Sequence, residues 1–284
     1  MDKKIFSRQI SFFGTQGQEK IEKVHVGIIG LGGTGSHIVQ QLAYLGVKKF
    51  TVIDGDVIED INLNRLIGAN TEDLMGSLTK TANAKRMLNK ILPGKECSLT
   101  VIPHFFPSKD SLLALKQVDF IFGCVDNDGT RIILTEFAAA YEKYYIDLAT
   151  EIDPQNMAFG GRVFFSIPGK SCLYCKGELS MDEIRKNLQN ETEKKEEEAI
   201  YGVPKELLQG SGPSVVSLNG IIASLAVTEF MVFVTGIRTA NELLIYNGMR
   251  GVVTINKDKP SSNCYYCNSI KGIGDNANIG RFLQ

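Results

Sequence analysis

Four of the six cysteines in this 284-residue chain form two pairs of identical spacing: Cys172 with Cys175 in "SCLYC", and Cys264 with Cys267 in "NCYYC". Two CxxC pairs supply four thiolates, the number that encloses a tetrahedral Zn²⁺ in a closed, structural site. A metal held there would tie the C-terminal end of the chain to its middle. Disulfides are the rival use of the same sulfurs, and they belong to oxidising compartments. Cys97 and Cys124 stand apart from the pairs. Cys124, in the apolar stretch "FIFGCVDN", reads as a small core residue, since a buried thiol is inert.

A second constellation lies near the start, in "VHVGIIGLGGTGSHIVQQLAYLGVKKFTVIDGD". Gly30, Gly32 and Gly35 have GxGxxG spacing after an apolar run, and a second apolar run ends at Asp54. Glycines at this spacing permit a tight turn and a close backbone approach to a phosphate, which then sits on the N–H groups opening a helix. Asp54 is placed to accept hydrogen bonds from a ribose hydroxyl. Ribose and phosphate are common to NAD, FAD, ATP and S-adenosylmethionine, so the motif does not name the nucleotide.

These residues need a scaffold of alternating strands and helices, and the chain supplies one. After the first strand–turn–helix–strand unit come a helical pattern at residues 80–92, "SLTVIPHFF" as a strand, "SLLALKQV" as a helix and "DFIFGCVDN" as a strand. "GTRIILTEFAAAYEKY" as a helix and "YIDLA" as a strand follow. Such alternation predicts a Rossmann-like α/β fold, mostly parallel, with helices on both faces of the sheet. Beyond Gly160 the character changes: "GGRVFFSIPG" and "ELLIYNGMRGVVTIN" predict antiparallel pairs, giving a mixed second half that carries the zinc site. The economical division is one domain over 1–284, with an N-terminal dimerisation segment (1–23), a nucleotide-binding half (24–160) and a zinc-bearing half (161–284).

Composition bounds the partners. Net charge is −1, with 43% hydrophobic and 22% charged residues, which gives no basic surface for nucleic acid. The first residues, "MDKKIFSRQISFFGTQGQ", lack the apolar core of a signal peptide, which predicts a cytoplasmic protein. Residues 215–236 have the length and apolarity of a membrane span but include Asn219 and Glu229. A carboxylate near the middle of a lone bilayer helix costs about 2.5 kcal/mol or more. A buried core helix, with Glu229 at an edge, is the expectation, and no membrane partner is predicted.

Taken together, "SRQISFFGTQGQEKI", "GIIGLGGTGS", "VIDGDVIEDINLNR", "CVDNDGTR" and the two CxxC pairs resemble the ThiF/MoeB superfamily, relatives of the ubiquitin-activating enzymes, over residues 6–267. The resemblance implies ATP with Mg²⁺ and adenylation of the C-terminal carboxylate of a small protein or peptide, with release of pyrophosphate. It implies that Gly30, Gly32, Gly33 and Gly35 surround the nucleotide, that Asp54 holds its ribose, and that Asp56 lies beside the pocket. Asn64 and Arg65 would face the phosphates, Asn62 would support their turn, and Lys80 would reach the same groups. Asp126 would hold Mg²⁺, against the alternative that Asp126 and Asn127 only cap a helix. Arg8 would reach into the pocket of the partner in a homodimer. Because two anions react, the catalytic set Arg8, Arg65, Lys80, Asp126 and the metal offsets their repulsion.

One departure matters. Family members that capture the acyl group on sulfur carry a cysteine in the segment crossing the active site, and here that segment, residues 178–213, has none. The expectation is therefore an acyl-adenylate passed to another molecule. Its run "ETEKKEEEAI" reads as a solvated helix. The substrate would be a ubiquitin-like or sulfur-carrier protein, or a short peptide as in microcin-type modification. A nicotinamide oxidoreductase and a catalytically silent partner subunit are the alternatives.

Overall fold

The computed structural model describes residues 4–92, 97–189 and 212–283. The acidic run at 191–200 and most of the crossover segment lie outside the described residues.

Short runs rich in Val, Ile and Phe, buried on both faces, form the centre of the sheet, as parallel strands covered by helices require. They are β1 (His25–Ile29), β2 (Lys49–Ile53) and β4 (Phe120–Gly123), joined by β3 (Ser98–Ile102) and β5 (Tyr144–Asp153). All pair in parallel. The chain then reverses: β6 (Ala158–Ser166), β7 (Leu243–Asn247) and β8 (Val252–Ile255) add on antiparallel. The result is one eight-stranded sheet in the order β3-β2-β1-β4-β5-β6-β7-β8. Strand order reverses direction between β1 and β4, so a crevice opens beyond their C-terminal ends.

Helices cover both faces, as the alternation predicts. On one side lie α1 (Ser7–Lys23), α2 (Gly33–Leu45) and α4 (Lys80–Ile91), which follows the short α3 (Thr71–Met75). On the other lie α5 (Lys109–Leu115) and α6 (Asp128–Ala140), with α7 (Met181–Leu188) packed on α6. The apolar segment forms α8 (Val216–Thr235), which packs on α1, α2, β5 and β6. Its Phe230 meets Phe120 edge-on, with ring centroids 5.0 Å apart. A short α9 (Tyr265–Asn268) closes the second cysteine pair.

Glu229 differs from expectation. Instead of lying at an edge it is buried, and Arg238 grips it with two hydrogen bonds of 2.7 and 2.6 Å while the backbone N–H of Asn241 donates at 2.8 Å. Burial alone would raise its pKa, but these donors outweigh burial and leave it below the ordinary value. The charge is carried by pairing, which is how a core helix accommodates it.

The N-terminal segment divides its apolar residues. Phe6 is buried in its own chain beside Gly46, Phe13 packs on the same core, and Ile5 and Phe12 remain exposed.

Candidate active site

Each element that borders the crevice delivers one part of the site. β1 ends at Gly30, whose φ of +82° and whose nearness to the Cys124 carbonyl, 2.5 Å from where a Cβ would stand, admit glycine alone. Gly35 is equally constrained, because its Cβ would stand 2.0 Å from the Gly30 carbonyl oxygen. Gly32 faces open space, and Gly33 lies under the buried amide of Asn219 from α8. Helix α2 starts at Gly33 without a side-chain cap. Its first N–H groups are thereby left for an anion.

β2 delivers Asp54. Its two carboxylate oxygens accept the backbone N–H groups of Leu31, at 2.6 Å, and Asp56, at 2.8 Å, so this buried acid clamps the glycine loop to the following turn. Burial raises its pKa, opposed by the nearby Lys80. A 3₁₀ turn at Asp60–Asn62, closed by reciprocal bonds between Glu59 and Asn62, presents Arg65. The guanidinium of Arg65 is steadied by the Ile61 carbonyl and by Asn64 Oδ1. Lys80 opens α4, where Thr79 is the cap, and its ammonium pairs with Asp56 at 2.5 Å.

β4 delivers Asp126. Asn127, not Asp126, caps α6, its Oδ1 accepting the Thr130 N–H at 2.8 Å. The Asp126 carboxylate is exposed, with the Asn127 amide 3.5 Å away, and so remains available to a cation.

One cavity of about 1120 Å³ collects these parts: Gly30, Gly32, Gly33, Asp54, Asp56, Asn62, Arg65, Lys80 and Asp126 all line it. Small-molecule sites usually run to about 300–1,000 Å³, so there is room for more than one ligand. Cys124 also lines it, but burial holds its thiol above the ordinary range, which keeps it protonated and inert.

The two CxxC pairs meet at the far end of the second half. Sγ of Cys172 lies 3.7 Å from that of Cys175 and 3.5 Å from that of Cys264, and Cys175 lies 3.9 Å from Cys267. These separations are far too long for disulfides. They match the roughly 3.8 Å expected between thiolates that each stand about 2.3 Å from one central Zn²⁺. The four residues fit a metal ion.

A model of the ThiF family matches residues 6–267. The chain belongs to that family. Ubiquitin-like modifier-activating enzyme 5 of Dictyostelium discoideum is 25% identical over 87% of this chain and 62% of its own length. Adenylyltransferase and sulfurtransferase MOCS3 of Drosophila yakuba is 25% identical over 93% and 53%. The chain thus spans between half and two-thirds of these curated relatives. Among solved structures, E. coli MccB with ATP superposes with a TM-score of 0.71 at 20% identity, covering 93% of this chain and 74% of that one. PaaA superposes at 0.68 with 19% identity, over 89% and 82%.

Three residues expected at the ThiF-family site stand outside the cavity: Gly35, which packs against the Gly30 carbonyl behind the loop, Asn64 and Arg8. Asn64 acts through Arg65, and Arg8 lies exposed on α1, away from the cavity of its own chain. Conversely, sequence reasoning passed over a buried charged network along the cavity wall: Asp128, Arg131, Asp147, Arg162 and Glu178. Asp147 carried a signal, being a carboxylate inside the apolar strand "YIDLA" that needs a cation once buried.

Proposed function

We propose that this ThiF-family chain is an ATP- and Mg²⁺-dependent adenylyltransferase acting on the C-terminal carboxylate of a small ubiquitin-like or sulfur-carrier protein, in the cytoplasm. The observation that carries the reading is the meeting, in one crevice, of an uncapped helix start, a buried acid, two cations and an unengaged carboxylate. Relatives whose names describe modifier activation and adenylyl transfer support it.

In the proposed reaction a substrate carboxylate oxygen bonds to the α-phosphorus of ATP, and the bond from that phosphorus to the bridging oxygen breaks. Acyl-adenylate and pyrophosphate are the products. The N–H groups opening α2 would receive phosphate oxygens, Asp54 the ribose, and Arg65 and Lys80 the charge that moves onto the leaving pyrophosphate. Asp126 would hold Mg²⁺, which neutralises phosphate charge when bound. Cys172, Cys175, Cys264 and Cys267 would hold Zn²⁺ as a structural staple. With no cysteine in residues 178–213, the acyl-adenylate would pass to an external nucleophile.

The test is exchange of labelled pyrophosphate into ATP, run with candidate carrier proteins, with short peptides, and with neither. Exchange that needs both Mg²⁺ and a free C-terminal carboxylate is expected, and the arm that supports it assigns the substrate. Thermal stabilisation by NAD with none by ATP would overturn the reading.

A further inference from the structure

The wall of the cavity hides a closed circuit of charges. Arg162, on β6, spends its donors three ways: Nη1 donates to Asp147 Oδ2 at 2.7 Å, Nε faces Glu178 Oε2 at 3.2 Å, and Nη2 donates to the Glu178 carbonyl at 3.2 Å. Asp147 is fully buried, and Tyr145 donates its hydroxyl to Oδ1 at 2.8 Å. On the far side of Asp147 stands Arg131, whose Nη1 donates to Asp128 at 2.7 Å and whose Nη2 donates to the Val125 carbonyl at 2.7 Å. Asp128 closes the circuit by accepting the Ser180 N–H at 2.7 Å.

Val125 immediately precedes Asp126, so Arg131 fixes the turn that carries this carboxylate. Arg131 is held by Asp147 through charge alone, at a distance too long for a hydrogen bond, which leaves its Nη atoms to Asp128 and Val125. Its Nε lies 3.4 Å from Asp147 Oδ1 and is a buried donor without a hydrogen bond. A charge-assisted bond would be about 2.7–2.9 Å. Arg162 has taken the carboxylate. If Arg162 were removed, Asp147 would be a buried anion next to one guanidinium. It would draw Arg131 toward itself, and the grip on Val125 would loosen.

We propose that Arg162 is a positioning residue for the Asp126 turn, acting through Asp147 and Arg131, and that it links the segment following the first cysteine pair to the metal-binding carboxylate. This rests on the reading of Asp126 as the Mg²⁺ ligand. A residue that merely supports the fold would lower stability without altering the metal requirement, whereas a positioning residue changes that requirement.

Arg162→Met and Arg162→Lys should therefore be compared with the parent by calorimetric titration of ATP, with Mg²⁺ and with EDTA, alongside pyrophosphate exchange across a Mg²⁺ series. Arg162→Lys keeps a charge near Asp147 for folding, but its single ammonium cannot reproduce the guanidinium fork that holds Asp147 and both Glu178 acceptors at once. It therefore breaks the circuit while providing a folded variant even if Arg162→Met does not fold. Both should bind ATP in EDTA as the parent does. Mg²⁺-dependent tightening should be lost and the Mg²⁺ concentration for half-maximal exchange raised by about tenfold or more, as for other residues that orient a metal ligand. A parent that responds to Mg²⁺ and an Arg162→Lys protein with an unchanged Mg²⁺ series would overturn the linkage alone. A parent without Mg²⁺-dependent ATP binding would overturn the adenylation reading, and this inference with it.

Discussion

Lys80 and Asp56 hold each other at the edge of the cavity: Nζ donates to Oδ2 at 2.5 Å, and the Lys80 backbone N–H donates to the Asp56 carbonyl at 3.0 Å. The lysine side chain is 12% exposed and the aspartate 47%. A flexible cation is thus oriented before any phosphate arrives, and the partner that orients it is open enough to water to release it. Lys80→Met should slow pyrophosphate exchange by about 10²–10³-fold, the usual loss when one preorganised charge-stabilising donor is removed. Stability should change by less than about 1 kcal/mol, since a partly exposed pair contributes little. Exchange rates and melting curves on the same preparation separate the two effects, and unchanged exchange would leave Lys80 as an ordinary ion pair.

Asp126→Ala should abolish Mg²⁺-dependent exchange with no loss of stability. The reason is local: Asn127 supplies the helix cap, and the Asp126 carboxylate is exposed. The companion variant Asn127→Ala should show the reverse pattern, costing about 1 kcal/mol of stability as a lost cap does. If Asp126→Ala exchanged normally, the carboxylate would have no part in metal binding.

These residues were legible in the sequence because each sits where a strand ends and a helix begins, and because local pattern dictates such junctions. Gly30 and Asp54 follow apolar runs, and the cysteine pairs advertise themselves by spacing. The circuit around Asp147 was not legible, because its members come from α6, β5, β6 and the segment after Cys175, and only the antiparallel addition of β6 to β5 brings Arg162 beside them. The burial of Glu229 is hidden from the sequence for the same reason. Its partner Arg238 lies beyond the end of α8, and the left-handed Gly236 that turns the chain back carries no message about a carboxylate two turns earlier.

That buried pair has a pH signature. The folded-state pKa of Glu229 is below the ordinary value of 4.5. Its stabilising contribution is therefore complete above the ordinary carboxylate range and is lost as pH falls through the lowered folded value. Glu229→Gln should be less stable than the parent by about 1–3 kcal/mol at pH 7, the cost of leaving buried partners poorly matched. The difference should shrink on acidification below pH 5. Denaturant melts of both proteins at pH 7, 5 and 3.5 check this, and a gap that stayed constant would exclude Glu229 from acid sensitivity.

Purified protein should contain one zinc per chain. Replacing Cys264, which is buried among the other sulfurs, by serine should remove it. Structural zinc contributes directly to folding, so a loss of roughly 5 kcal/mol is expected, below the full value seen in zinc-finger peptides. For a chain of this size that corresponds to a fall in melting temperature of about 8 °C. Metal analysis together with melting curves is the measurement, and a zinc-free parent of full stability would remove the metal from the account.

Arg8 offers the sharpest test of assembly. It is exposed on α1 and does not line the cavity of its own chain, while Ile5 and Phe12 beside it are 71% and 67% exposed. An arginine delivered by a second copy would add charge at the triphosphate only in the dimer, and those exposed apolar side chains would be covered by the same contact. Arg8→Ala should then remain dimeric and retain zinc yet lose most exchange activity. Mixing it with Asp126→Ala after dissociation should restore activity, because one pocket of each heterodimer combines an intact Asp126 with an intact Arg8 from across the interface. With random reassortment, half the dimers are mixed and half their pockets complete, so recovery should approach about a quarter of the parental rate for a two-fold dimer. Verified heterodimers that stay inactive would mean that Arg8 does not act in trans, and a parent that is monomeric in solution would remove the premise.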